Sequence, residues 1–331
     1  MRKKILFCFL IIIISLVILE LFLRLVGFEA WKTNRNSHET IFEFNSKLGW
    51  ISKQGNYLIP SISNTKKINK FTIEKSSNRY SGKPKQNKLK KIILIGGSFT
   101  QGAGVSDDET FAYQLQSLLP NHKILNFGQA GYGSIQSLLL LEQIIKQTNK
   151  TNIVIYGFIN HHLRRNVARG EWLEILQKST NSGFSRKPSI PYGVIDKQNN
   201  LKINPRTSYL TLPFRENSAL ITIVEKIYMK QTTRFRKKHQ QEVLLKSLIQ
   251  MNKIAKKNKS NFVFVNLDLD KSKSDKILIK MSEENKLHYV DCRTPEFEKF
   301  KLKDEYHPSK LGHRYYSKCI NDFLREKKLL F

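Results

Sequence analysis

The stretch KIILIGGSFTQGAG, Lys91 to Gly104, runs a short continuous apolar segment into a turn of small residues that contains Ser98. An apolar run of this length, closed by glycines, is the pattern of a strand buried on both faces. Units of the same kind recur. KILNFG (123–128), NIVIYGF (152–158), NFVFVNL (261–267) and LHYVDC (287–292) read as four more strands. Between them, SDDETFAYQLQSLL (106–119) and SIQSLLLLEQIIKQ (134–147) read as helices, and PSKLGHRYYSKCINDFL (308–324) closes the chain with another. Ser106 and Glu109 form an S-x-x-E capping box ahead of Phe111, Leu115 and Leu118, which repeat at helical spacing. Strands alternating with helices over short connections predict a three-layer α/β/α fold around a five-stranded parallel sheet.

The rhythm breaks once. From about 163 to 213 the chain is irregular, and from 218 to 258 it is long-helical and basic around TTRFRKKHQQ. The region 163–258 is therefore expected to be an insertion that forms a lid or wall beside the sheet. Ahead of the first strand, residues 27–90 are polar and rich in Lys, Ser and Asn, with KLGWI and NYLIPSI as apolar islands. They read as a juxtamembrane spacer with a few short strands.

The N-terminus places the chain at a membrane. Arg2, Lys3 and Lys4 precede ILFCFLIIIISLVIL (5–19), and the apolar segment continues to Val26. That is long enough to cross a hydrocarbon core needing ~20 helical residues. Glu20 and Arg24 stand four apart on one helix face, where they can pair near the far interface. A cleaved signal peptide is the competing reading, but VGFEAW offers no A-x-A-like site, and a single-pass signal anchor fits better. The basic residues ahead of it predict a cytoplasmic N-terminus and an exported 27–331, periplasmic or at the cell surface.

Export makes nucleic acid an unexpected partner, although the 331 residues carry 57 Lys+Arg against 27 Asp+Glu, net +30. The charge is spread along the chain, which describes a solvated surface before it describes an anion site. Cys8 lies in the membrane segment. Cys292 and Cys319 can join as a disulfide in an oxidising compartment or remain two buried thiols.

A glycine-rich turn after a first strand can also cradle phosphate. No lysine follows Gly102 as a Walker loop requires, and the G-x-G of Gly102 and Gly104 meets Asp107 where a dinucleotide fingerprint needs its third glycine. Ser98 instead stands at the carboxyl end of a strand, where open α/β sheets bind ligands. A serine hydroxyl needs a base, and the base an orienting carboxylate. KDEYHPSKLGH (303–313) offers Asp304 and His307, three apart, in a loop after the fifth strand and just before the final helix.

With these residues the chain resembles the SGNH hydrolases, also called GDSL-type esterases and lipases, over roughly 91–323 apart from the insertion. GGSFTQG matches the serine block at Ser98; NFGQAGYGS matches the glycine block, at Gly131 or, in a second register, Gly133; YGFINHH matches the asparagine block at Asn160; DEYHPS matches the last block. The resemblance implies Ser98 as nucleophile, His307 as base and Asp304 as its acid. It also implies an oxyanion hole made of the Ser98 and Gly131 amides with the Asn160 side chain. It calls for no cofactor and no metal.

Two departures stand out. Gly97 replaces the aspartate that usually precedes the serine, and His161 follows Asn160 where that block commonly has aspartate. His161 and His162 have no further ligands at zinc spacing and are expected at the site rim. The expected function is a membrane-tethered serine esterase acting on acyl esters of glycan or lipid, above all acetyl esters of an envelope carbohydrate, with acyl transfer as a close variant. A lipase or lysophospholipase is one alternative, and a non-catalytic basic protein binding acidic glycan or lipid is another.

Overall fold

The computed structural model describes residues 1–32, 40–61, 67–85, 90–179, 188–271, 275–303 and 305–330. Helix α1 (Arg2–Leu25) is long and apolar enough to cross a membrane, with mean hydropathy 3.2, and none of its span is buried. Glu20 and Arg24 pair at 2.7 Å, as their spacing predicts. Two hairpins come next in the chain, Phe42–Asn45 with Gly49–Ser52 and Gly55–Pro60 with Ile68–Ile73.

The sheet itself consists of β1 (Lys90–Gly96), β2 (His122–Asn126), β3 (Thr151–Phe158), β4 (Asn261–Asn266) and β5 (His288–Asp291), all parallel, in the order β5-β4-β3-β1-β2. These are the five strands expected from the sequence. Each central strand is apolar on both sides because both sides are covered. In β1, Ile93 and Ile95 enter one core, and Ile92 and Leu94 the other. In β3, Val154, Tyr156 and Phe158 face the first core, and Ile153 and Ile155 the second.

The first core is closed by α3 (Ser134–Gln147), and the second by α2 (Phe111–Leu118) and the final helix. The sequence box at Ser106 and Glu109 does not open α2. It caps a single tight turn, Asp107–Glu109, and α2 starts at Phe111 with Thr110 accepting from the Tyr113 amide at 3.2 Å. The break has a cause: Asp107 turns inward to pair with Arg79 at 3.0 Å.

In the region 163–258 the chain forms α4 (His161–Asn166), α5 (Gly170–Lys178), a hairpin (Ser189–Ile195 with Leu201–Ser208), α6 (Ala219–Thr233) and α7 (Gln240–Lys257). Val243, Leu244, Leu248, Met251 and Ala255 of α7 are buried in the first core, so α7 serves as the crossover helix between β3 and β4. The N-terminus of α6 is tied to α1. Glu20 accepts from the Ser218 hydroxyl and from the Ala219 and Leu220 amides at 2.8–3.0 Å, a cap that satisfies otherwise orphan donors. The last helices are α8 (Lys276–Glu284) and α9 (Lys310–Glu326). Cys292, after β5, and Cys319, on α9, form a disulfide with Cα atoms 5.8 Å apart.

Candidate active site

A sheet ordered 2-1-3-4-5 reverses its winding between β1 and β3, and a crevice opens at the carboxyl ends of those strands. Ser98 follows β1 and Asn160 follows β3, so the fold brings both to this switch point. Ser98 opens a four-residue helical turn, Ser98–Gln101, closed by Gly102 at φ 84°, a left-handed conformation glycine adopts without strain.

The turn is held from below. Arg79 is buried, and besides Asp107 its guanidinium donates to the carbonyls of Gln101 (3.0 Å), Gly102 and Val105 (2.6 Å). A second tie crosses to the glycine block. Gln101 Nε2 donates to Ser52 Oγ at 3.0 Å while its Oε1 accepts from the Ala130 amide at 3.2 Å. The segment expected as a spacer thus supplies Ser52, Arg79 and Trp50 to the surroundings of Ser98.

Ser98 Oγ lies 2.9 Å from His307 Nε2. On the other side of the ring, Nδ1 lies 2.6 Å from Glu305 Oε1, a close contact that sits off the hydrogen-bond line. Asp304, the acid implied by the sequence resemblance, lies outside the described residues. Of the two adjacent acids, Asp304 and Glu305, only Asp304 stands at the familiar spacing from the histidine, so sequence reasoning passes over Glu305. The imidazole is steadied by Phe99, ring centroids 5.4 Å apart, and by the Leu302 amide, which donates to the His307 carbonyl at 2.8 Å. Next to it, the Tyr306 hydroxyl donates to Asp268 Oδ1, and the other Asp268 oxygen accepts from the Asn160 amide at 2.9 Å. This links the base loop to the end of β3.

A cavity of about 300 Å³ opens beside the pair, lined by Ser98, His307, Gly131, Trp50, Trp172 and Arg165 among others. Gly131 has φ 85°, and a Cβ there would stand 2.8 Å from the Trp50 ring. Gly133, the second register, points elsewhere: it precedes α3, and a Cβ on it would meet Asn166 Oδ1 at 2.5 Å. The side-chain amide of Asn160 has no hydrogen-bond partner among the described residues, and Asn160 is not among the residues lining the cavity.

The two histidines separate. His161 stacks near Tyr306, with centroids 5.6 Å apart, and burial followed by repulsion from Arg164 and Arg165 pushes it down to about 4. His162 is not at the rim but fully buried; its Nδ1 shares a 2.7 Å hydrogen bond with the Tyr156 hydroxyl. A Cβ on Gly97 would stand 2.6 Å from His162 Nε2 and 3.1 Å from Arg165 Nη1, which is the local reason for glycine before the serine. Among the described residues no cluster of three or more His, Cys, Asp or Glu could hold a metal ion.

No protein-family model matches the chain, and no curated protein matches it. Solved structures do. A member of the lipolytic protein G-D-S-L family from Veillonella parvula aligns over 72% of this chain and 97% of its own, at 13% identity and TM-score 0.40. The psychrotrophic esterase EstA from Pseudoalteromonas sp. aligns over 71% and 98%, at 10% identity and TM-score 0.39. The traces agree loosely, and the chemistry has to be read from this chain's own side chains.

Proposed function

We propose that the protein is a serine ester hydrolase of the SGNH kind. The observation that carries this reading is the Ser98 Oγ to His307 Nε2 contact of 2.9 Å, with a carboxylate at the opposite ring nitrogen and a cavity beside the hydroxyl. Such a pair makes a weak nucleophile competent, because the imidazole takes the proton as the oxygen attacks.

In the reaction we infer, Ser98 Oγ bonds to the ester carbonyl carbon while its proton passes to His307 Nε2. The carbonyl oxygen becomes an oxyanion, received by the Ser98 and Gly131 amides and the Asn160 side-chain amide. Collapse breaks the bond to the alcohol, which leaves with the proton from His307. A water, deprotonated by the same nitrogen, then attacks the acyl-serine and releases the acid. The carboxylate beside Nδ1 keeps that nitrogen protonated and stabilises the imidazolium.

The substrate reading combines three features. Helix α1 supports attachment to a membrane, the N-terminal basic residues support export of residues 27–331, and Trp50 and Trp172 line the cavity beside Ser98. Together they favour removal of short acyl groups, acetyl above all, from an envelope carbohydrate. Transfer of the acyl group to a sugar hydroxyl instead of water uses the same residues.

Labelling of the purified full-length protein with a fluorophosphonate, beside Ser98→Ala, tests the reading. Wild type should label and turn over 4-nitrophenyl acetate, and Ser98→Ala should lose both, turnover by at least ~10³-fold. Folded wild type that refuses the label overturns it.

A further inference from the structure

Beside Ser98 lies a charge that the acylation and hydrolysis steps do not use. Arg165, on α4, is only 7% exposed, and its exposed part faces the cavity it shares with Ser98, Gly131 and His307. Its Nη1 donates to the Tyr132 carbonyl at 3.0 Å, its guanidinium carbon lies 4.5 Å over the Trp172 ring, and its Nε has no hydrogen-bond partner. Among the described residues no carboxylate lies within ion-pair distance. The titratable neighbours are Arg164, His161 and His162, bases like itself, together with Tyr156.

The contrast with buried Arg79 is instructive. Arg79 has Asp107 at 3.0 Å and carbonyls around its fork, so its charge is compensated within the fold. Arg165 has one carbonyl and one aromatic face. A cation taken out of water without a counter-charge is costly, and burial pulls Arg165 down to about 9. Its location is specific: Nη1 stands 3.1 Å from where a Cβ on Gly97 would be, one residue from the nucleophile. The wall around it, Trp172, Trp50 and Leu176, is mostly apolar, and there an incoming anion interacts more strongly than in water. A guanidinium fork matches the paired oxygens of a carboxylate or phosphate.

We propose that Arg165 is the recognition site for a negatively charged group, a carboxylate or phosphate, on the ester substrate, and that the protein prefers anionic esters over neutral ones of the same size. This rests on the ester-hydrolase reading, and the anion completes the ion pair that the fold leaves open. It is carried either by the acyl half or by the alcohol half of the ester.

Fluorophosphonate labelling of the full-length protein first establishes the Ser98 chemistry; its failure refutes the hydrolase reading and is a separate outcome from any result on charge preference. kcat/KM is then measured for two matched pairs. 4-Nitrophenyl hemisuccinate against 4-nitrophenyl butyrate places the charge on the acyl half, and an O-acetylated methyl glucuronide against the corresponding acetylated methyl glucoside places it on the alcohol half. Wild type should favour the anionic member of one pair at least about tenfold. Arg165→Gln should erase that ratio, and Arg165→Lys should keep part of it. Equal ratios in wild type and Arg165→Gln for both pairs overturn the proposal, as does an equal loss on both members of each pair, which marks a structural or oxyanion role. Should Arg165→Gln fail to fold, protection of wild type from the fluorophosphonate decides. Succinate or inorganic phosphate should protect better than succinamide, and equal protection overturns the proposal.

Discussion

The turn that carries Ser98 follows an interior strand and rests on a buried guanidinium, whereas the loop that carries His307 follows the edge strand β5 and is held at its rim by aromatic rings. Around Ser98, nearly every carbonyl of the turn has a donor, and Arg79 alone serves those of Gln101 and Gly102 as well as the Val105 carbonyl just beyond. Around His307 the ties are fewer: the Leu302 amide on its carbonyl, the Tyr306 hydroxyl on Asp268, and a short bridge between Lys301 and Pro308. Ser98 is positioned by the same interactions that stabilise the domain. His307 is positioned by interactions that cost the domain little if lost. Substitutions on the two sides should therefore separate activity from stability.

The largest effect is expected on the base side. Glu305→Gln should lower kcat for 4-nitrophenyl acetate by about 10²–10⁴-fold with the thermal midpoint nearly unchanged, because the imidazole loses the carboxylate beside Nδ1. Asp304→Asn is the companion variant. If it carries the loss and Glu305→Gln does not, the acid is the one three residues before the histidine, and the 2.6 Å contact to Glu305 is incidental.

On the nucleophile side the loss should appear first as stability. Arg79→Met leaves Asp107 buried without its ion-pair partner and strips a donor from the carbonyls of Gln101, Gly102 and Val105. Breaking a buried pair in this way costs about 3–5 kcal/mol, readable as a shift in the urea midpoint. An unchanged midpoint would remove the basis of the comparison.

The smallest effect, taken per pH unit, is graded. His313, on α9, is fully buried and its Nδ1 accepts from the Phe111 amide at 3.2 Å, so the ring is neutral in the fold. Burial, and then the charges of Arg79 and His307, push it down to about 3. Between there and about pH 6.5, the unfolded histidine binds a proton that the native one does not. Stability accordingly rises with pH through this window and falls on acidification, by about 1.4 kcal/mol per pH unit for one such group. His162, held low by burial as well, acts in the same direction. Urea midpoints taken from pH 7 to pH 4 should show the decline, and His313→Gln should flatten it.

Legibility in the sequence divides along physical lines. Strands such as IILIG and NIVIYGF announce themselves because burial on both faces demands continuous apolar residues, and Ser98 stands just past a strand end and His307 just ahead of the last helix. Trp50, Arg79 and Arg165 carry no such signal. They lie in segments without periodicity, and their partners are distant in sequence, as with Arg79 and the Gln101 carbonyl or Trp50 and the Ala130 carbonyl. Helix α7 is legible as a helix but not as a core element, because its apolar stripe is masked by the lysines on its other side. The choice between Asp304 and Glu305 is beyond reach for a third reason, since the conformation of one loop decides which of two neighbouring carboxylates reaches the ring.

Gly97 also sets which substitutions the site accepts. The space that a side chain would need before Ser98 is taken by the imidazole of His162 and the guanidinium of Arg165. Position 97 therefore opens to a larger residue only where those two give way, so tolerance beside Ser98 is decided by residues more than sixty positions away in the chain.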